Sequence, residues 1–186
     1  MEINSSLSAR QNPLDSQILN PQSKIQNPKL VLVIFTGLQG SGKSTFFRNY
    51  FAATHELVSK DLFRNNKNPS RRQDQLIEAA LQAGRSVVVD NTNPTVEERR
   101  SAIQIGREYG AEIAGYYFES PVKCCLERNR QRLGKACVPD VAIYATVKKL
   151  VRPSFAEGFD KLFCVRIAGN WAFEVTALAE NEVANG

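Results

Sequence analysis

The sequence predicts an α/β fold in which a doubly wound, parallel, five-stranded sheet carries helices on both faces. Short, continuously apolar runs recur along the chain, the strongest being Leu30–Thr36 (LVLVIFT) and Ser86–Asp90 (SVVVD). Such runs, without alternation, mark strands buried on both faces of a parallel sheet. Segments of helical length and period separate them, which is the order of βαβ units. Composition is that of an ordinary globular protein, with 42% hydrophobic and 23% charged residues.

The elements follow in order. Residues 1–28 are rich in Asn, Gln, Ser and Pro, with Asn-Pro at 12–13, 20–21 and 27–28. Residues before proline avoid the helical region, so this stretch reads as a disordered or loosely attached arm. Leu30–Thr36 is the first strand, and a helix runs from Gly42 to about Ala53. Glu56–Ser59 is a short second strand, followed by a helix over Arg71–Ala83 that Gly84 terminates. After the third strand, Ser86–Asp90, Thr95 starts a helix reaching Gly110, with Glu97 and Glu98 in its first turn, where acids suit the helix dipole. Glu112–Glu119 is the fourth strand, Val122–Arg132 and Asp140–Val151 are helices, and Leu162–Ile167 is the fifth strand. From Gly169 onward the chain is ambiguous between helix and irregular structure, so the domain is bounded at 29–170 with 171–186 as a tail.

Composition also excludes function classes. A chain of 186 residues is most simply one domain. No apolar run approaches the ~20 residues that span a bilayer, and the first 28 residues hold no apolar core of a secretory signal. Cys124, Cys125, Cys137 and Cys164 lack C-x-x-C spacing, and His55 is the single histidine, a poor supply for zinc. A soluble cytoplasmic protein, away from membranes, is expected. The net charge of +5 is uneven. Lys60–Arg72 holds five basic residues against Asp61, and Lys123–Arg152 holds eight against Glu127 and Asp140. Basic islands of this kind meet phosphates, or are solvated helix faces.

The chemistry starts at the end of the first strand. Gly37-Leu38-Gln39-Gly40-Ser41-Gly42-Lys43-Ser44-Thr45 is G-x-x-x-x-G-K-[ST] between a strand and a helix. Its glycines let successive N–H groups turn into one concavity, and the helix N-terminus adds partial positive charge. Gly40, Ser41, Gly42, Lys43, Ser44 and Thr45 are therefore the candidate binding residues for ATP. Lys43 would bridge the β- and γ-phosphates, and Ser44 would ligate Mg²⁺. Asp90, at the C-terminal end of its strand, fits a second Mg²⁺-side ligand or a cap on the turn Asn91-Thr92-Asn93-Pro94.

A phosphate loop serves motors, switches and kinases alike. The length leaves little room for motor modules, and Arg128, Arg130 and Arg132 precede a loop at Leu133-Gly134-Lys135. At 100° per residue, Arg128 and Arg132 lie on one helical face, where guanidinium groups clamp phosphates. Asp61 follows the second strand, where a carboxylate would take a proton from an acceptor hydroxyl. Arg64, three residues on, would pair with Asp61 or hold an acceptor phosphate.

Together these residues resemble the 5′-hydroxyl polynucleotide kinases of the phage and animal repair type, from about Val31 to Ile167. Gly37–Thr45 matches the phosphate loop. Ser59-Lys60-Asp61-Leu62-Phe63-Arg64 is similar to the acceptor segment, in which the aspartate is the general base and the arginine binds substrate phosphate. Val88–Pro94 (VVDNTNP) is close to a hallmark segment, and Arg128–Arg132 with Val138-Pro139 resembles the lid. Arg132 is the best match to the lid's catalytic arginine, and Pro153–Phe159 (PSFAEGF) matches the approach to the final strand. The resemblance implies an adenylate-kinase-like phosphate-loop fold with a short arginine-bearing lid. It also implies ATP and Mg²⁺ as cofactors, catalytic Lys43, Asp61 and Arg132, nucleotide-side Arg128, substrate-side Asp61 and Arg64, and metal-side Ser44 and Asp90. Lys60 stands where animal members carry arginine, and no D-x-D-G-T phosphatase motif occurs in these residues. The implied reaction is transfer of the γ-phosphoryl group to 5′-hydroxyl ends of DNA or RNA. A small-molecule acceptor and a binding module without turnover are the alternatives.

Overall fold

In the computed structural model, which describes residues 29–169 and 172–180, one six-stranded sheet runs in the order β2-β3-β1-β4-β5-β6. The strands are β1 (Val31–Gly37), β2 (Glu56–Val58), β3 (Val87–Val89), β4 (Glu112–Phe118), β5 (Lys161–Ile167) and β6 (Phe173–Ala177). The first five pair in parallel, and β6 pairs antiparallel to β5, with Val165 opposite Val175. Helices α1 (Lys43–Tyr50), α2 (Pro69–Gln82), α3 (Val96–Glu108), α4 (Val122–Arg130) and α5 (Asp140–Lys149) connect them.

β1 is central and buried on both faces, and its alternating side chains divide the core. Leu32 and Ile34 join Ile77 and Leu81 of α2 and Ile103 and Ile105 of α3. Val33 and Phe35 join Phe46 and Phe47 of α1, with Phe118 and Val165. A two-residue period sends neighbours to opposite faces, so one apolar run supplies both layers. On the second face the Phe35 ring meets Phe46 and Phe118 edge-on, at 5.9 and 5.1 Å between centroids. Helix starts are chemically marked: Asn68 and Thr95 accept the backbone N–H groups of Arg71 and Glu98, capping α2 and α3.

The sheet carries one strand more than expected. β6 lies at the edge, with four of its five residues exposed; the alternation Phe173-Glu174-Val175-Thr176-Ala177 is its signal in the sequence, short and without the long apolar run of the central strands. The N-terminal arm, 1–28, lies outside the described residues. Among the described residues no helix is long and apolar enough to cross a membrane.

Candidate active site

The parallel strands all aim their C-terminal ends at one side, and the motif segments follow those ends. β1 leads into the phosphate loop, and β2 into a 3-10 turn over Lys60–Phe63. β3 leads into Asp90–Pro94. Between them opens a cleft of about 580 Å³ whose wall includes Lys43, Ser44, Asp61, Arg64, Asp90 and Arg132. Six residues chosen from sequence are thus brought to one cavity, and Gly40, Ser41, Gly42 and Thr45 line it with them.

Within the loop, Gly40 and Gly42 adopt φ of +78° and +98°, in the region L side chains rarely enter. Space is closed to them as well: a Cβ on Gly40 would stand 2.5 Å from the Cys125 carbonyl oxygen. α4 is therefore packed onto the loop from behind. Lys43 is 8% exposed and folds back along the loop. Its Nζ donates to the carbonyls of Gly37 (2.9 Å) and Leu38 (2.6 Å) and to Ser41 Oγ (3.3 Å). Burial lowers its pKa to about 8, against the pull of the nearby Asp90 carboxylate. Thr45 faces outward, its hydroxyl accepting from Arg48 Nη2 at 3.2 Å.

Ser44 Oγ donates to Asp90 Oδ2 at 2.7 Å. Burial raises the Asp90 pKa, while Lys43 and the Ser44 bond hold it down. A hydroxyl and a carboxylate sharing one point are hard oxygen donors, and that donor set fits Mg²⁺. Among the described residues no group of three or more His, Cys, Asp or Glu could hold a metal ion. An ion at this pair would therefore take its other ligands from nucleotide oxygens and water, which is how Mg²⁺ is commonly held beside phosphates.

Asp61 and Arg64 occupy the opposite wall. Both are exposed, and Arg64 Nε and Nη2 donate to Asp61 Oδ1 at 3.1 and 2.9 Å. Their turn buries no residue of its own.

Arg132 lines the cleft, whereas Arg128 does not. The helical-face argument fails because α4 ends at Arg130, two residues before Arg132. Arg132 sits in the loop that follows and is exposed. Arg128 turns back along α4, with Nη2 3.9 Å from Cys125 Sγ. The loop itself is closed by Asn129, which is fully buried. Its Nδ2 donates to the Val138 carbonyl (2.7 Å) and its Oδ1 accepts from Val138 N (3.1 Å). Both ends of the Arg132 segment are fastened by that single amide.

Sequence reasoning missed the residues that hold these pieces. Asn91 Oδ1 accepts from Lys60 N at 2.9 Å, and its Nδ2 donates to Gln73 Oε1 at 2.7 Å. Asn93, at φ +41°, donates to the Phe35 carbonyl. Arg99 is wholly buried, paired twice with Glu157 at 2.7 and 2.8 Å, and donates to the carbonyls of Asn93 and Val151. Gln39 reaches Thr146 of α5 at 3.0 Å. The available signal was the run Asn91-Thr92-Asn93-Pro94, read as turn chemistry and as part of a family-like segment, neither of which names its bonding partners.

A family model described as AAA domain matches residues 32–153. The bifunctional polynucleotide phosphatase/kinase of Schizosaccharomyces pombe is 29% identical over 134 residues, 69% of this chain and 31% of that protein. The L-seryl-tRNA(Sec) kinase of Methanococcus maripaludis is 28% identical over 145 residues, 70% of this chain and 56% of that protein. The chain thus spans about a third to a half of the length of these curated relatives. A crystal structure of a gluconokinase from Sinorhizobium meliloti superposes with a TM-score of 0.53 at 16% identity, covering 82% of this chain and 86% of that one. The fold is therefore that of a phosphate-loop kinase.

Proposed function

From the premise that this chain belongs to the AAA domain family, we propose that it is an ATP-dependent kinase acting on the 5′-hydroxyl ends of DNA or RNA. The observation that carries the reading is one cleft lined by Lys43, the Ser44–Asp90 pair, Asp61 and Arg132. In it the acceptor oxygen bonds to the γ-phosphorus, the bond from that phosphorus to the β-phosphate bridge breaks, and ADP leaves. Asp61 takes the acceptor's proton. Lys43 exchanges the loop carbonyls it now holds for β- and γ-phosphate oxygens. Arg132 stabilises charge on the transferring group, and Arg64 holds the phosphate that follows the first nucleoside. Ser44 and Asp90 would hold Mg²⁺, which neutralises phosphate charge when bound.

Support for the polymer acceptor comes from the likeness to the S. pombe protein and from the basic windows around Lys60–Arg72 and Lys123–Arg152. The likeness to the M. maripaludis kinase favours a second reading, in which the hydroxyl belongs to another acceptor. Incubation with γ-labelled ATP and a panel of 5′-hydroxyl oligonucleotides, nucleosides and sugars decides between them. Label is expected on oligonucleotides, with KM rising steeply with salt as phosphate contacts weaken. Labelling of nucleosides or sugars alone would overturn the polynucleotide reading, and no labelling at all would overturn kinase activity.

A further inference from the structure

The turn that carries Asp61 sits at the surface of the protein, beside α2. It is four residues long, buries none of them, and leaves Leu62 68% exposed. The Asp61–Arg64 ion pair is solvent-exposed and joins residues three apart, so it contributes little to seating the turn. A hydrogen bond crosses from the start of the turn to the loop after β3: Lys60 N donates to Asn91 Oδ1 at 2.9 Å.

Asn91 is the immediate neighbour of Asp90, whose carboxylate accepts from Ser44. Its side-chain orientation is fixed by elimination. A backbone N–H can only donate, so the amide oxygen must face Lys60 and the NH₂ must face away. The NH₂ lands 2.7 Å from Gln73 Oε1, and Gln73 on α2 is 2% exposed. A buried acceptor at that distance holds the Asn91 amide in the direction that bonds to the turn. Rotating the amide would set two oxygens against each other at Gln73 and a donor against a donor at Lys60.

We infer that Asn91, oriented by Gln73, is a positioning residue that fixes the distance between the Asp61 turn and the Ser44–Asp90 pair. The inference rests on the kinase reading above. Gln73 lies outside the cleft wall and acts only through Asn91. Misplacing a reacting group by about 1 Å costs up to ~100-fold in rate, so a loosened turn should show in transfer to the acceptor before it shows in nucleotide binding.

The experiment compares Gln73→Met, which removes the acceptor at similar volume, with Gln73→Glu, which keeps an oxygen for the Asn91 NH₂. With a 5′-hydroxyl oligonucleotide, Gln73→Met should lower kcat for transfer at least ~10-fold while ATP affinity and acceptor-independent ATP hydrolysis stay within about twofold. Gln73→Glu should recover most of the loss. Parallel loss of transfer and hydrolysis, unchanged transfer in Gln73→Met, or no recovery in Gln73→Glu would each overturn the inference. Amide exchange in the unaltered, ligand-free chain tests the bond without any acceptor. The Lys60 amide should be protected, and exchange as fast as that of an open loop overturns the fastening whatever the variants do. Failure of the unaltered protein to phosphorylate any acceptor instead falls on the kinase reading, and the exchange result still stands or fails by itself.

Discussion

The two walls of the cleft are built by opposite means. On the nucleotide wall, Ser41 and Lys43 are buried, the loop is backed by the Cys125 carbonyl, and every Nζ bond is made within the loop. On the wall proposed to take the acceptor and the catalytic arginine, Asp61, Arg64 and Arg132 are exposed on short turns, and an asparagine side chain bonds to the backbone of each segment. The half proposed to bind phosphates is packed in place, with Lys43 the side chain that would turn from the Gly37 and Leu38 carbonyls toward them. The other half is held at its roots and left open at its tips, so its final arrangement depends on what binds there.

If that contrast is right, damage to the nucleotide wall should be the most severe. Lys43→Ala is expected to lower kcat by about three orders of magnitude, since it removes a preorganised charge from the transferring phosphates. The melting temperature should stay close to that of the unaltered chain, because relief of the buried charge offsets the Gly37 and Leu38 carbonyls left without their donor. Near-normal kcat in a folded Lys43→Ala protein would remove Lys43 from the reaction.

The opposite wall should divide by role. Asp61→Asn should lower transfer by about two to four orders of magnitude while ATP binding and its slow hydrolysis persist. Arg132→Ala should lower both activities about 100-fold, the loss of roughly 3 kcal/mol of transition-state stabilisation. Measuring both rates in both proteins sharpens the comparison; equal loss of hydrolysis in the two variants would erase the distinction between base and phosphate clamp.

Titration gives a smaller and more diagnostic effect. With its pKa lowered to about 8, Lys43 loses its proton above that pH in the free protein. Affinity for ATP should then fall by up to ~10-fold per pH unit above 8. Ligand-free stability should move the other way. Between pH 8 and 10.5 the unfolded chain holds the Lys43 proton more firmly than the folded one, so this residue's contribution to folded stability rises with pH. Binding and unfolding titrations of the unaltered chain and Lys43→Met isolate both signs. A matching rise in the variant would assign the stability effect to other groups.

The smallest change in chemistry is expected at the lid's root. Asn129→Ala leaves both Val138 backbone groups without partners, at a cost of about 1–3 kcal/mol. Thermal unfolding should show that loss, with ATP affinity unchanged. A drop in ATP affinity larger than the drop in kcat would mean that the lid's root serves the nucleotide wall after all.

Legibility in the sequence followed the same division. The strands of the sheet's centre were readable because burial on both faces leaves a run such as LVLVIFT with no polar interruption. The phosphate loop was readable because its geometry is local, set by glycines within nine residues. β6 was missed because its alternation, FEVTA, is five residues long at an exposed edge and lacks the continuous apolar run of the central strands. Arg128 was misjudged because a helical wheel assumes the helix continues, and α4 stops at Arg130. Asn91, Asn129 and the Arg99–Glu157 pair act through partners fixed only by the fold: Glu157 lies 58 residues from Arg99.

Phe173, on the last strand, carries a consequence for how the protein is made. Its ring packs 5.1 Å from Phe46 of α1, and its edge would lie 3.1 Å from a Cβ on Gly42. The phosphate loop is therefore translated early but propped late. During synthesis, residues 37–45 leave the ribosome long before residue 173 does, and until then α1 lacks part of its apolar cover. A nascent chain halted before β6 would present the complete phosphate-loop motif on an unfinished support.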